Sequence, residues 1–411
     1  MNQLPTESNY RWYILILGAL TDALALAMPS MCISVLSKEI ATDLGLDLVQ
    51  VGFIWGIGAL PGIVATLMGG VVGDRFGPKR ILIMACFLSG LAGALRGLST
   101  NFITLAATIF LFGLLAPIVP INVFKACGLW FPPHQRGLAN GVISMGMALG
   151  FMLGSMLSAT WLSPVLGGWR NVLIFYGILA TLLSIPWYFA RMAPQAVAAK
   201  GLPPVSMRKN IAYVARIKKL WLLGWTILGI SGCIQGMLGY LPLYLRGAGW
   251  PEASADGAAS TFHLVSMICV VPIALLSDRL RTRKKIVLVA GLMIIAGIGW
   301  LSVAAGGTVW VAVVLAGMVR DGFMAVFVTM IVETKGVGTL YAGTATGFVM
   351  IFSGIGNLFA PSLGNSLAQV APGFPFVFWA GLALFGYMGL CLAKEETIVR
   401  EPIAQPSPQV G

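Results

Sequence analysis

Polar residues are scarce along this chain, and they punctuate it at fairly even intervals. Between them run mainly apolar stretches of roughly 18 residues or more, each long enough at 1.5 Å per residue to cross about 30 Å of hydrocarbon. The pattern predicts twelve membrane-spanning helices, near residues 12–36, 49–73, 80–98, 102–130, 137–162, 170–191, 219–245, 256–277, 284–304, 308–332, 341–366 and 373–393. The one long polar connection falls between the sixth and the seventh. The chain therefore parses as a six-span half (1–191), a cytoplasmic linker (192–218), a second six-span half (219–393) and a polar, proline-bearing tail (394–411) expected to be disordered. The expected fold class is an all-α membrane protein of twelve helices in two pseudo-symmetric halves.

Composition narrows this further. Only 10% of the 411 residues are charged and 58% are hydrophobic, whereas a soluble chain carries about 25% charge. That excludes a soluble protein, and the 51 glycines suit helices that pack closely in lipid. With the N-terminus inside, all but six of the 26 lysines and arginines fall on the cytoplasmic side: Lys38, Arg96, Arg170 and Arg246 face the other way, and Lys125 and Arg320 lie within spans. Both termini are expected in the cytoplasm, with the protein integral to the plasma membrane. The net charge of +12 is spread over short loops and forms no basic face, so nucleic acid is not an expected partner. The six cysteines show no CxxC pair and no metal-ligand spacing, and there is no GxxxxGK[ST] loop. No metal, no cofactor and no ATP drive within the chain are expected.

The segment GGVVGDRFGPKR (69–80) recurs as IALLSDRLRTRK (273–284), each after the second span of its half, with Asp74 and Asp278 204 residues apart. Such self-similarity marks an internal duplication. Gly70 and Ala274 lack bulk and admit a neighbouring helix, while Asp74 and Asp278 are carboxylates at the membrane edge, able to accept from a facing helix N-terminus or to pair with nearby arginines. In the first copy Gly70, Asp74, Arg75, Gly77, Lys79 and Arg80 match in full the G-x-x-x-D-[RK]-x-G-x-[RK]-[RK] signature of the major facilitator superfamily. The second copy keeps Asp278, Arg279, Arg283 and Lys284 but has Ala274 and Arg281 for the glycines. The chain resembles that superfamily over all twelve spans. The resemblance implies a secondary transporter whose halves rock about a central site, with Gly70, Asp74, Arg75, Gly77, Arg80, Asp278 and Arg279 in a cytoplasmic gate. The stretch from Pro120 to Gly137 resembles the fourth span of the superfamily's organic-anion carriers, such as anion:cation symporters and organophosphate antiporters. There a basic residue at the spacing of Lys125 contacts the substrate's anionic group. Those carriers often have an Asp-Arg pair in the first span; here Asp22 is followed by Ala23. The arginine common before the glycine early in the fourth span of proton-coupled drug exporters is missing before Gly113.

Five ionisable residues lie well inside spans: Asp22, Lys125, His263, Arg320 and Asp321. Each costs several kcal/mol in hydrocarbon unless paired or wetted, which makes each a candidate functional group. Lys125 and Arg320, one from each half, are expected to form a cationic clamp for an anion in a central cavity, or else to pair with Asp22 or Asp321. Asp22, Asp321 and His263 are the proton-coupling candidates, with counter-ion or packing roles as the competing reading. Asn122, Gln235, Tyr240, Ser353 and Asn357 are expected either to complete the substrate cavity or to hydrogen-bond between helices. Gly146, Gly150 and Gly154, at four-residue spacing, predict a smooth stripe for close packing. The expected function is transport of a small organic anion, a carboxylate, coupled to protons or exchanged for a counter-anion, by a monomer in the lipid bilayer. The alternative is a proton-coupled exporter of drug-like or lipophilic compounds. A membrane enzyme would need a nucleophile with its base or an HExxH cluster, and a sensor usually adds a soluble module; the chain has neither signal.

Overall fold

Helices make up this computed structural model, which describes residues 9–132, 135–191, 207–280 and 282–393, with no strand among them. All twelve predicted spans form helices: Tyr10–Val35, Leu48–Ile57 continued by Ala59–Phe76, Pro78–Leu98, Phe102–Trp130, Arg136–Leu166, Trp169–Phe189, Lys218–Gly247, Glu252–Leu280, Arg283–Trp300, Thr308–Val332, Gly338–Ser366 and Phe374–Leu392. Among the described residues, eleven helices are long and apolar enough to cross a membrane. The ninth span falls short because it has 18 residues and opens on Arg283, Lys284 and Lys285, so its charged heads must reach back toward the interface on their aliphatic stems. Residues 192–206 of the expected linker and the tail from 394 lie outside the described residues. The rest of the linker includes a short helix, Met207–Val214, tied down by buried Val214 and by Tyr213, whose ring stacks on Tyr341 with centroids 4.6 Å apart.

Proline decides where the spans deviate from regular helix. The first widens into a π-helical turn at Ala23–Ala27, two residues before Pro29, and the fifth does the same at Ser158–Leu162, two residues before Pro164. A proline ring clashes with the carbonyl four residues back and removes one ladder hydrogen bond, and the wider turn absorbs the misfit. The second span breaks at Gly58, three residues before Pro61.

Because lipid tails are as apolar as leucine, small residues decide which helices touch. Spans 3 and 6 meet at Gly90 and Gly177, where a Cβ on either glycine would fall 2.6 Å from the other's carbonyl oxygen. The predicted stripe on span 5 lies against span 1: a Cβ on Gly146, Gly150 or Gly154 would come within 2.7 to 2.8 Å of Ala19, Ala23 or Met28. The halves meet along two seams, span 2 on span 11 and span 5 on span 8. Advancing each span by six converts one seam into the other, the relation a duplication demands. Hydrogen bonds between the halves, across these seams and between spans 1 and 7, cluster toward the end of the bundle remote from the chain termini. There Arg246 Nη1 donates to Val35 O (2.6 Å), Thr160 Oγ1 to Asp256 (2.8 Å), Ser260 Oγ to Met152 O (3.1 Å), Asn365 Nδ2 to Leu48 O (2.9 Å), and Ser34 Oγ to Leu238 O.

Candidate functional site

A cavity of about 440 Å³ lies between the halves. At its edge the Trp55 indole donates to Gln235 O (2.7 Å) and Gln235 Nε2 donates to Trp55 O (3.4 Å), a reciprocal link from span 2 to span 7. The indole fits because a Cβ on Gly239 would fall 2.4 Å from it. Most of the lining is hydrocarbon: Leu26, Met31 and Ile33 from span 1, Ile109 and Phe112 from span 4, Phe151 from span 5, Phe323 and Met324 from span 10. The hydroxyls of Ser30 and Ser231 donate within their own helices, to Leu26 O and Ile227 O at 2.6 Å, and so present lone pairs.

Of the residues expected around a substrate, Arg320, Gln235, Ser353 and Asn357 line this cavity, and so does His263. Asn357 Oδ1 and His263 Nε2 have no hydrogen-bond partner among the described residues. The imidazole stacks on Phe151 of the other half, centroids 5.4 Å apart. Arg320 forms an ion pair with its sequence neighbour Asp321, whose backbone N–H donates to Ser266 Oγ (3.0 Å).

Other expected members are placed elsewhere. Span 4 borders the cavity from Ile109 to Pro117, and Lys125 lies eight residues further on, roughly 12 Å along the helix; it is half-buried. Asn122 is fully buried on span 2, its Nδ2 donating to Ile118 O (2.8 Å) and Gly69 O (3.2 Å). Tyr240 donates its hydroxyl to Pro372 O (3.2 Å) and packs among Tyr244, Phe376 and Trp379. For these two, hydrogen bonding between segments of one half is what the side chain does. Asp22 is 0% exposed inside the first half, and neither of its oxygens has a partner among the described residues. Span 1 reaches the cavity only from Leu26, one turn later, and Asp321 is not among the residues that line it.

In the expected gate, Gly77 takes φ 86° as it ends the second span, a conformation that strains an L side chain. Arg75, Arg80 and Arg279 are exposed. Of Gly70, Asp74 and Asp278 only the helical backbone falls within the described residues, and Arg281 lies outside them. Arg283 of the second copy pairs with Glu333 at 2.7 Å, joining spans 9 and 10.

Two of the basic residues assigned to the outer side, Arg96 and Arg246, are interior. Arg96 is 1% exposed and lines the cavity, and Arg246 forms a buried ion pair with Asp256. Their signal was position: each sits in the last or first turn of an apolar run, where a charge is equally compatible with a loop.

The sequence profile of the Major Facilitator Superfamily matches residues 15–342. The chain is 24% identical over 395 residues to the 3-(3-hydroxy-phenyl)propionate transporter of Escherichia coli (strain K12), covering 93% of this chain and 95% of that one. It is 29% identical over 188 residues to the probable galactarate/D-glucarate transporter GudP of Bacillus subtilis (strain 168), a match that spans 44% of this chain but only 40% of that relative. Among solved structures, a bacterial homologue of the human lysosomal transporter Spinster, inward-facing and unoccupied, superposes with a TM-score of 0.74 at 16% identity, covering 94% of this chain and 95% of that one.

Proposed function

Because the chain belongs to the Major Facilitator Superfamily, a membrane transporter and not an enzyme, we propose that it moves a small organic anion, a carboxylate, by exposing its central cavity alternately to the two sides of the membrane. The observation that carries this reading is Arg320 at a cavity between the halves, with Gln235, Ser353 and Asn357 beside it as neutral hydrogen-bonding groups. A site at the interface of two repeats is where rocking of one half on the other changes access. The names of the two relatives, both transporters of carboxylates, support the same substrate class. A cationic drug would meet like charge in this cavity, which argues against the exporter alternative.

In this reading the halves are 1–191 and 219–393, the excess of basic residues on the terminal side puts both termini in the cytoplasm, and the hydrogen-bonded seam is the outer one. The repeated loop with Gly70, Asp74, Arg75, Gly77, Arg80, Asp278 and Arg279 acts as the cytoplasmic gate. Asp22 carries the coupled proton, with Asp321 and His263 as the remaining candidates.

The test is uptake into proteoliposomes of labelled 3-(3-hydroxy-phenyl)propionate, beside efflux of ethidium. Loss of one charge-assisted hydrogen bond, about 1.5–3 kcal/mol, corresponds to at least about tenfold in affinity. Carboxylate uptake is expected in the wild type and a loss of that size in Arg320→Gln. Ethidium efflux that survives Arg320→Gln, with no carboxylate uptake, would overturn the reading.

A further inference from the structure

Arg96 is a buried cation whose charge nothing described so far balances. Its Nη1 donates to Pro29 O (2.8 Å), its Nε donates to Gly93 O (3.2 Å), and its guanidinium carbon lies 4.0 Å from the centroid of the Phe112 ring. These contacts hold the plane of the fork between spans 1, 3 and 4. They carry no negative charge. The remaining donor nitrogen, Nη2, is shielded from water and has no partner among the described residues. A desolvated guanidinium with one nitrogen unused is expensive to maintain, and Nη2 is left to donate a charge-assisted hydrogen bond to a carboxylate oxygen. The cation opposite, Arg320, is already paired with Asp321. Among the described residues, the cavity thus has one uncompensated positive charge, and it belongs to the first half.

Resting on the anion-carrier reading of this cavity, we propose that Arg96 is its principal anion-binding residue and that the ligand is a monoanion with an apolar body, aromatic or branched. The volume of about 440 Å³ would be left mostly empty by an inorganic oxyanion. A diacid would bring a second charge with no uncompensated cation among the described residues to meet it, while Leu26, Ile33, Ile109 and Phe323 offer walls for an apolar body. An aromatic monocarboxylate places its charge on Arg96 and its ring against those same walls. Arg320, bridged to Asp321 on the second half, then closes the far side of the site.

Equilibrium binding to the purified full chain tests this with four probes: 3-phenylpropionate, its neutral amide, 1,4-phenylenediacetate and nitrate. The expected order has 3-phenylpropionate binding about tenfold or more tighter than each of the other three. Arg96→Gln is expected to weaken it by about tenfold or more, Arg96→Lys by less because the charge remains, and Lys125→Gln not at all. If the glutamine variant does not purify folded, the lysine variant and the comparison of acid with amide on the wild type carry the test. An amide that binds as well as the acid, a diacid that binds better, or an unchanged Kd in both Arg96 variants overturns the proposal. In the last case, loss of binding in Arg320→Gln would keep the carrier reading and move the anion to the second half. Binding of none of the three anions would overturn both.

Discussion

Two buried polar side chains of the first half differ in what a near-isosteric change removes. Asn122 uses its amide nitrogen on two carbonyls, Ile118 O of its own helix and Gly69 O of span 2, so replacing it strips one hydrogen bond between membrane helices, worth about 0.6–2 kcal/mol. Asp22 has no partner on either oxygen among the described residues, so Asp22→Asn breaks no described contact and isolates the carboxyl's proton chemistry. The variant is expected to fold and bind like the wild type, to lose accumulation driven by a pH gradient, and to keep exchange of labelled for unlabelled substrate at equal pH, since exchange needs no net proton movement. Accumulation that persists under a pH difference alone would shift the coupling role to His263 or Asp321.

At the scale of the element, the fifth span shows how one spacing governs a helix pair. Gly150 lies where a Cβ would fall 2.7 Å from Ala23 Cα, whereas a Cβ on Gly141, less than three turns away on the same helix, would meet nothing within 4 Å. Backbone cannot rotate aside as a flexible side chain can, and overpacking of this kind costs about 1–3 kcal/mol. Gly150→Ala is therefore expected to lower the thermal midpoint of the purified protein, and Gly141→Ala is not. Equal midpoints for the two variants would mean that spans 1 and 5 are less tightly seated than this. The contact bears on the cavity because Ala23 opens the π-helical turn that carries Leu26, the first cavity-lining residue of span 1.

At the scale of the molecule, the seam remote from the chain termini is held by a buried charge pair that reaches across it in both directions. Arg246 and Asp256, with side chains 4% and 0% exposed, both belong to the second half; the arginine donates to Val35 O and the aspartate accepts from Thr160, both of the first half. Breaking a buried pair by removing one partner costs about 3–5 kcal/mol, because the other charge remains desolvated. Here opening the seam to water relieves that penalty. If the halves alternate as proposed, Asp256→Asn is thus expected to shift the population toward the state open on the side remote from the chain termini. In a background with native cysteines replaced by alanine, a cysteine at Ser34 should react faster with a membrane-impermeant maleimide when Asp256→Asn is present. An identical rate would remove this pair from the control of access.

The twelve helices were legible in the sequence because a bilayer demands long apolar runs, and that demand is local: each run declares itself without its neighbours. Arg320, Gln235, His263, Ser353 and Asn357 were legible for the same reason, as polar groups that hydrocarbon does not tolerate, and all five line the cavity. Asn122 and Tyr240 obey the same rule yet spend their hydrogen bonds on Gly69 and Pro372, since hydrocarbon requires only that a polar group be satisfied and is indifferent to whether a helix or a ligand satisfies it. Lys125 was singled out by spacing along the chain, but depth along span 4 sets which turns border the cavity. Arg96 was beyond reach from the sequence. Its position at the end of an apolar run fits a loop charge as well as a buried one, and only the packing of spans 1, 3 and 4 around Pro29, Gly93 and Phe112 turns a residue of the boundary into an interior cation.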